Sequence, residues 1–174
     1  MKIHAFTYYS SLGTIVMETD GQMLTSLRFT EEGEATASTG NNRSAAAIPV
    51  ITETRQWLDD YFAGKPPSGL PPLKPHGTAF QRRVWQALLN IGYGQTKTYA
   101  EIADIVGCKS AQAVGQAVGH NPIALIIPCH RIVAANGKLG GYAFGTEKKK
   151  QLLEIEQQWL CEPKLSSNVF QGRY

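Results

Sequence analysis

Seven consecutive residues, Ile126-Ile127-Pro128-Cys129-His130-Arg131-Ile132, hold the chemistry this chain is best equipped to do. An apolar run ends in a cysteine, with proline before it and histidine after it. The thiolate is the nucleophilic form of cysteine, and a neighbouring imidazole is a standard way of generating it. Neighbouring side chains on an extended segment point to opposite faces, so Cys129 and His130 need a bend or a bridging water to cooperate. A carboxylate can orient the imidazole in turn, as in triads built on cysteine. Glu156, on a helical run after Ile155, suits that part, although a helix glutamate is more often solvated than partnered.

The 174 residues suffice for one ordinary domain or two small ones with a real core. Cys108, Cys129 and Cys161 form a sparse, odd set without a CxxC pair, which argues against a disulfide framework and for a reducing cytoplasm. His4, His76, His120 and His130 make no metal-ligand spacing with them. No dinucleotide or phosphate-loop motif occurs, so no cofactor is expected. No apolar run approaches the roughly 18 residues that span a membrane, and the first residues lack the apolar core of a signal segment. Residues 1–77 carry 6 Lys+Arg and 8 Asp+Glu, whereas residues 78–174 carry 11 and 6. A basic second half beside an acidic first half suits a polyanion partner, though a solvated basic face reads the same way.

Elements follow from the patterning. Phe6–Tyr9, Gly13–Thr19 and Met23–Phe29 are β-branched and aromatic runs, with Asp20-Gly21 as a hairpin turn. Residues 31–47 read as a loop. Val50 to Phe62 is helical, with Gly64 just past its end. Five prolines within residues 65–75 mark a boundary between residues 1–75 and 76–160. Beyond it, Thr78 and Thr98 each have the spacing of a capping box, and Ser110 caps a third helix. The last two helices, joined by Gly107-Cys108-Lys109, form a helix-turn-helix candidate. Ala111, Ala113, Gly115, Ala117 and Gly119 give its second helix a surface of small side chains, suited to close helix packing or to close approach of a DNA backbone. Gly140-Gly141-Tyr142-Ala143-Phe144-Gly145 is a flexible loop. Thr146 caps a final helix through Trp159, and residues 161–174 read as a loose tail.

These pieces together resemble the 6-O-alkylguanine-DNA alkyltransferases, the methylated-DNA–protein-cysteine methyltransferases. The resemblance covers residues 78–160 and rests on Phe80-Gln81-Arg82-Arg83-Val84-Trp85, Gly94-Gln95-Thr96-Lys97-Thr98-Tyr99, Ala113-Val114-Gly115, Asn121-Pro122, Ile127-Pro128-Cys129-His130-Arg131, Gly141-Tyr142 and Leu152-Leu153-Glu154-Ile155-Glu156. Over residues 1–77 it is looser, with Tyr61-Phe62-Ala63-Gly64 in a typical place. It implies an α/β N-terminal domain with a small antiparallel sheet and a mostly helical, winged-helix-like C-terminal domain that binds DNA.

The same resemblance implies the activity: irreversible transfer of a methyl or larger alkyl group from the 6-oxygen of guanine in duplex DNA, with the 4-oxygen of thymine as a second target, to the protein's own cysteine. The nucleotide must be extruded first, because the target atom lies in the base stack. By carry-over, Cys129 attacks, and His130 (through water) and Glu156 keep it ionised. Asn121 holds the turn before the cysteine segment. Tyr99 opposes a backbone phosphate and donates toward guanine N3. Ala111, Ala113 and Gly115 admit the helix to the minor groove. Gln112 stands where most members carry an arginine. Tyr142, Ala143 and Phe144 form the pocket lid, with Phe144 narrowing it. Arg131 belongs to the same set in a structural rather than catalytic capacity. Each molecule acts once, as a monomer that can cluster along damaged double-stranded DNA, with no cofactor or membrane involved. Three rivals remain: a binding module that recognises alkylated DNA without transfer, whose members lack the cysteine; a winged-helix regulator, which would prefer a sequence to a lesion; and a cysteine hydrolase, which would turn over repeatedly.

Overall fold

The structure, a computed structural model of the chain, describes residues 2–31 and 48–161. Most of the expected 31–47 loop and all but the first residue of the expected 161–174 tail lie outside the described residues. Strands β1 (His4–Ser10), β2 (Gly13–Thr19) and β3 (Leu24–Phe29) form an antiparallel sheet in that order. Its register puts Tyr8, Ile15 and Phe29 in one row. Helix α1 (Pro49–Phe62) packs on that row: Tyr8 stacks on Phe62 at 6.2 Å and donates to Asp59 at 2.8 Å. Gly64 follows α1 at φ 73°, the left-handed conformation a helix C-terminus favours.

The free edge of β3 is covered twice by later chain. Leu24 pairs with Leu73 of the proline-rich stretch, and Leu27 pairs with Ile123. Covering an edge in this way removes a site for wrong pairing. It also anchors the segment before Cys129 to the sheet.

The helical part begins with α2 (Ala79–Leu89), whose capping box at Thr78 and Gln81 is fully formed. This helix ends at Leu89, with Asn90 as its C-terminal cap. Short parallel strands β4 (Lys97–Thr98) and β5 (Ile132–Val133) flank α3 (Tyr99–Val106). The Thr98 box caps α3, and Gly107 ends it at φ 68°. Ser110 caps α4 (Ala111–Gly119), worth roughly 1 kcal/mol for such a cap. Trp85 of α2 donates to the Ala117 carbonyl at 2.9 Å and holds α4 in place. Helix α5 (Thr146–Cys161) starts at Thr146 itself, so Thr146 is its first residue and not its cap, and Cys161 ends the helix instead of starting a tail. One cluster of buried residues runs from Phe6 to Leu152 through both parts. No helix of the described residues is long and apolar enough to cross a membrane.

Candidate active site

The segment before the cysteine is not extended, as its apolar run suggests, but tightly turned. Leu125 takes φ 67°, a strained left-handed value for a bulky residue. Pro128, at φ −82° and ψ 66°, makes an inverse γ-turn closed by Cys129 N donating to Ile127 O at 2.8 Å. Asn121 Nδ2 donates to the same carbonyl at 2.7 Å, and its Oδ1 accepts from Ile123 N at 3.0 Å. Cys129–Arg131 is then a single 3-10 turn. A turn of three residues spreads consecutive side chains around an axis. Cys129 therefore faces one way while His130 and Arg131 run into the core.

Cys129 is 5% exposed and lines a pocket of about 270 Å³. Tyr99, Gly115, Tyr142 and Ala143 line it as well. Strand pairing of Thr98 with Val133 sets Tyr99, the next residue, beside the chain leaving the cysteine turn. Burial pushes the Cys129 thiol up. The Asn121 amide, the backbone N–H groups of Cys129 and His130, and the Lys149 ammonium oppose that push. Hydrogen-bond donors and a cation around a sulfur favour its charged form.

His130 is fully buried and meets Glu156 through Nε2···Oε1 at 2.6 Å. An ionised carboxylate only accepts, so Nε2 carries the proton. Nδ1 is buried and has no partner among the described residues. Glu156 is also fully buried, which overturns the solvated reading of that helix position. Its Oε2 accepts from Arg131 Nε at 2.9 Å and from Gly94 N at 3.0 Å. Its Oε1 accepts from Arg131 Nη2 at 3.0 Å and from the Tyr61 hydroxyl at 2.9 Å. Burial pushes the Glu156 carboxyl up, but His130 and Arg131 outweigh it and hold it at about 2. Burial lowers His130 more than Glu156 raises it. The imidazole is therefore neutral at neutral pH, and Arg131 is the charge that balances Glu156.

The sequence-derived residues divide. Cys129, Tyr99, Gly115, Tyr142 and Ala143 line the pocket, Asn121 holds the turn that delivers Cys129, and His130 and Glu156 lie behind it. Ala111 and Gln112 are exposed and line an adjoining groove with Tyr99 and Gly115. Ala113 faces a different groove, beside Phe80 and Gln81. Ala117 is buried against α2 and leaves the small-residue surface to Ala111, Gly115 and Gly119. Phe144 does not line the pocket. It sits edge-on to both Tyr142 and Phe29 at 5.5 Å, bracing the pocket wall against the N-terminal sheet. Arg131 is buried in the ion pair and donates to Ile91 O at 2.6 Å, so it has no surface to offer DNA.

Two residues escape sequence reasoning. Tyr61 reaches the Glu156 carboxylate from α1. Lys149, fully buried, donates to Gly141 O at 3.0 Å, and burial lowers it to about 8. In Lys148-Lys149-Lys150 it looks like a solvated charge. Its spacing of three from Leu152 and seven from Glu156, on one helix face, is the signal that places it inside.

With the geometry in hand, the chain can be set beside known proteins. Residues 79–158 match the family model described as 6-O-methylguanine DNA methyltransferase, DNA binding domain, and residues 3–71 match that of the same protein's ribonuclease-like domain. The methylated-DNA–protein-cysteine methyltransferase of Mycobacterium bovis is 43% identical over 156 residues, covering 89% of this chain and 93% of the relative. The crystal structure of the Mycobacterium tuberculosis O6-methylguanine methyltransferase superimposes with a TM-score of 0.80 at 41% identity, covering 94% of this chain and 96% of that one. A structure from that organism in complex with DNA gives a TM-score of 0.78 at 42% identity, covering 90% and 94%.

Proposed function

This chain belongs to the 6-O-methylguanine DNA methyltransferase family, and from that premise we propose that it repairs duplex DNA by moving an alkyl group from the 6-oxygen of guanine to Cys129. One observation carries the reading: a buried cysteine lines a pocket that adjoins the exposed small-residue face of α4. At about 270 Å³ the pocket lies near the lower limit of small-ligand sites, in keeping with a single extruded base. Ala111, Gly115 and Gly119 let α4 approach a groove closely, and Gln112 follows the extruded nucleotide into the stack.

The chemistry is one displacement. The Cys129 proton passes through a water to His130 Nδ1. The sulfur pair then forms the S–C bond as the C–O bond breaks, and that electron pair goes to the base. Guanine takes up one proton, matching the one lost from sulfur. Tyr99 donates toward the departing base, and Glu156 holds the imidazolium that forms transiently. The thioether has no hydrolytic exit, so each molecule reacts once. The division into residues 1–75 and 76–160, with the second winged-helix-like, belongs to the same proposal. So does action on the 4-oxygen of alkylated thymine.

Intact-mass measurement after mixing with a methylguanine duplex tests this. One methyl is expected, on the peptide holding Cys129, and none with Cys129→Ala. A further excess of duplex should add nothing. An unmodified Cys129 in folded, DNA-bound protein would refute the proposal.

A further inference from the structure

Helix α1, on the far side of the proline-rich stretch from the cysteine, sends one polar group into the site. Tyr61 is fully buried, with Trp57 stacked on it at 5.3 Å and Tyr93 edge-on at 5.8 Å. Its hydroxyl donates to Glu156 Oε1 at 2.9 Å and lies 3.2 Å from His130 Nε2. A hydroxyl that gives its proton to a carboxylate has only lone pairs left for another neighbour. The Tyr61 oxygen therefore faces Nε2 as an acceptor. The Nε2–H thus has two acceptors, one on α5 and one on α1, and the ring cannot swing about a single contact. The hydroxyl also takes up part of the Glu156 charge, which weakens the carboxylate's hold on a second imidazole proton.

We infer that Tyr61 is a positioning residue for alkyl transfer: it fixes the His130 ring through Nε2 and shares the Glu156 charge, so that Nδ1 stays an unprotonated acceptor for the Cys129 proton. This rests on Cys129 being the alkyl acceptor. It makes the chemistry of the C-terminal part depend on a side chain from the N-terminal part. The charged and titratable groups facing His130 are Glu156 and Lys149 on α5, Arg131 on its own turn and Tyr61 on α1, with Tyr93 next to Tyr61. Arg131 and Lys149 disfavour a charged imidazole, and Glu156 favours it. Removing the hydroxyl leaves Glu156 freer to favour it, so His130 holds a proton to higher pH.

The experiment measures single-turnover transfer from a methylguanine duplex for the native chain, Tyr61→Phe and Trp57→Phe, from about pH 5 to 8 where a histidine titrates. Tyr61→Phe keeps the ring and its stacking. It should bind DNA normally yet react roughly tenfold more slowly at neutral pH, a fraction of the 10²–10⁴ that a positioned base supplies. The acid limb of its pH–rate profile should move upward. Trp57→Phe disturbs the packing alone and should lower the melting temperature while leaving that limb in place. A Tyr61→Phe protein with native rate and native limb overturns the inference, as does a Trp57→Phe limb that moves equally. If Tyr61→Phe does not fold, proton NMR of the native chain decides: a slowly exchanging Tyr61 hydroxyl proton with a cross-peak to the His130 Nε2 proton supports it, and a freely exchanging Tyr61 hydroxyl or a resting proton on Nδ1 overturns it. Failure of the native chain to accept methyl would sink the transfer reading instead, and the NMR result would still judge the Tyr61 contact.

Discussion

Arg131 and Glu156 meet in the core as a forked ion pair, with Nε 2.9 Å from one carboxylate oxygen and Nη2 3.0 Å from the other. The remaining guanidinium nitrogen, Nη1, is held by the Ile91 carbonyl at 2.6 Å. Removing one partner leaves the other as an uncompensated buried charge, which costs about 3–5 kcal/mol. Arg131→Met should therefore lower the melting temperature by roughly 6–20 °C for a chain of this size. Arg131→Lys should recover little, because an ammonium cannot reproduce the fork. Calorimetry of the three proteins checks this, and a native-like melting temperature for Arg131→Met would contradict the buried pair.

The same pair predicts an acid limit to stability. Glu156 sits at about 2 in the folded chain against an ordinary 4.5. A depressed carboxyl contributes stability that is fully present above its unfolded value and lost as pH falls toward its folded value. The window is therefore about pH 4.5 to 2, and the contribution is on the order of 3 kcal/mol. Burial also lowers His130 from 6.5, so it adds loss in the same direction beginning nearer pH 6.5. Urea midpoints measured against pH should fall in both regions. Glu156→Gln should start lower and lose the more acidic step.

What was legible in the sequence was local. The capping boxes at Thr78 and Thr98 and the turn that begins at Gly107 depend on residues within one turn, and all three form as read. The cysteine turn did not form as read, because its shape is set from outside. Leu27 of the sheet pairs with Ile123, and Asn121 grips Ile127 O, so the apolar run bends where its own composition favours extension. Tyr61 and Lys149 were opaque for a related reason. An aromatic on an amphipathic helix and a lysine among lysines have ordinary local meanings. Only the packing of α1 and α5 around one turn makes them neighbours of His130 and Cys129. Phe144 lay in the right loop, but its partner Phe29 is more than a hundred residues away in the chain.

Gly115 sits where the outer groove of α4 meets the Cys129 pocket, so it reports on base access. A Cβ placed there would meet the Tyr99 ring at 3.7 Å, an ordinary contact. Gly115→Ala should fold well, and it gains up to about 1 kcal/mol of helix propensity. Gly115→Leu extends into the pocket that Tyr99 and Cys129 share. Transfer should drop about 10²-fold, the scale of misplacing a reacting group by 1 Å. Duplex affinity should fall as well, because Gly115 also lies on the α4 face proposed to approach the groove, so transfer is compared at duplex concentrations that saturate each protein. Equal transfer by Gly115→Leu would mean that the base does not enter by this pocket.

The three cysteines should react in opposite orders with a small electrophile and with damaged DNA. Cys161 is exposed, Cys108 is half-buried and Cys129 is buried. Burial pushes the Cys129 thiol up, so the resting sulfur is protonated at neutral pH despite the donors around it. Iodoacetamide at neutral pH should label Cys161 first, Cys108 next and Cys129 last, with Cys129 labelling rising only once pH climbs above the ordinary thiol range. A methylguanine duplex should reverse the order and modify Cys129 alone, because only there do a base-sized pocket, a proton acceptor and an oriented donor converge. Peptide mapping under both conditions reads this directly. Fast labelling of Cys129 by iodoacetamide at neutral pH would mean that its thiolate exists before DNA arrives, and that substrate binding does not create it.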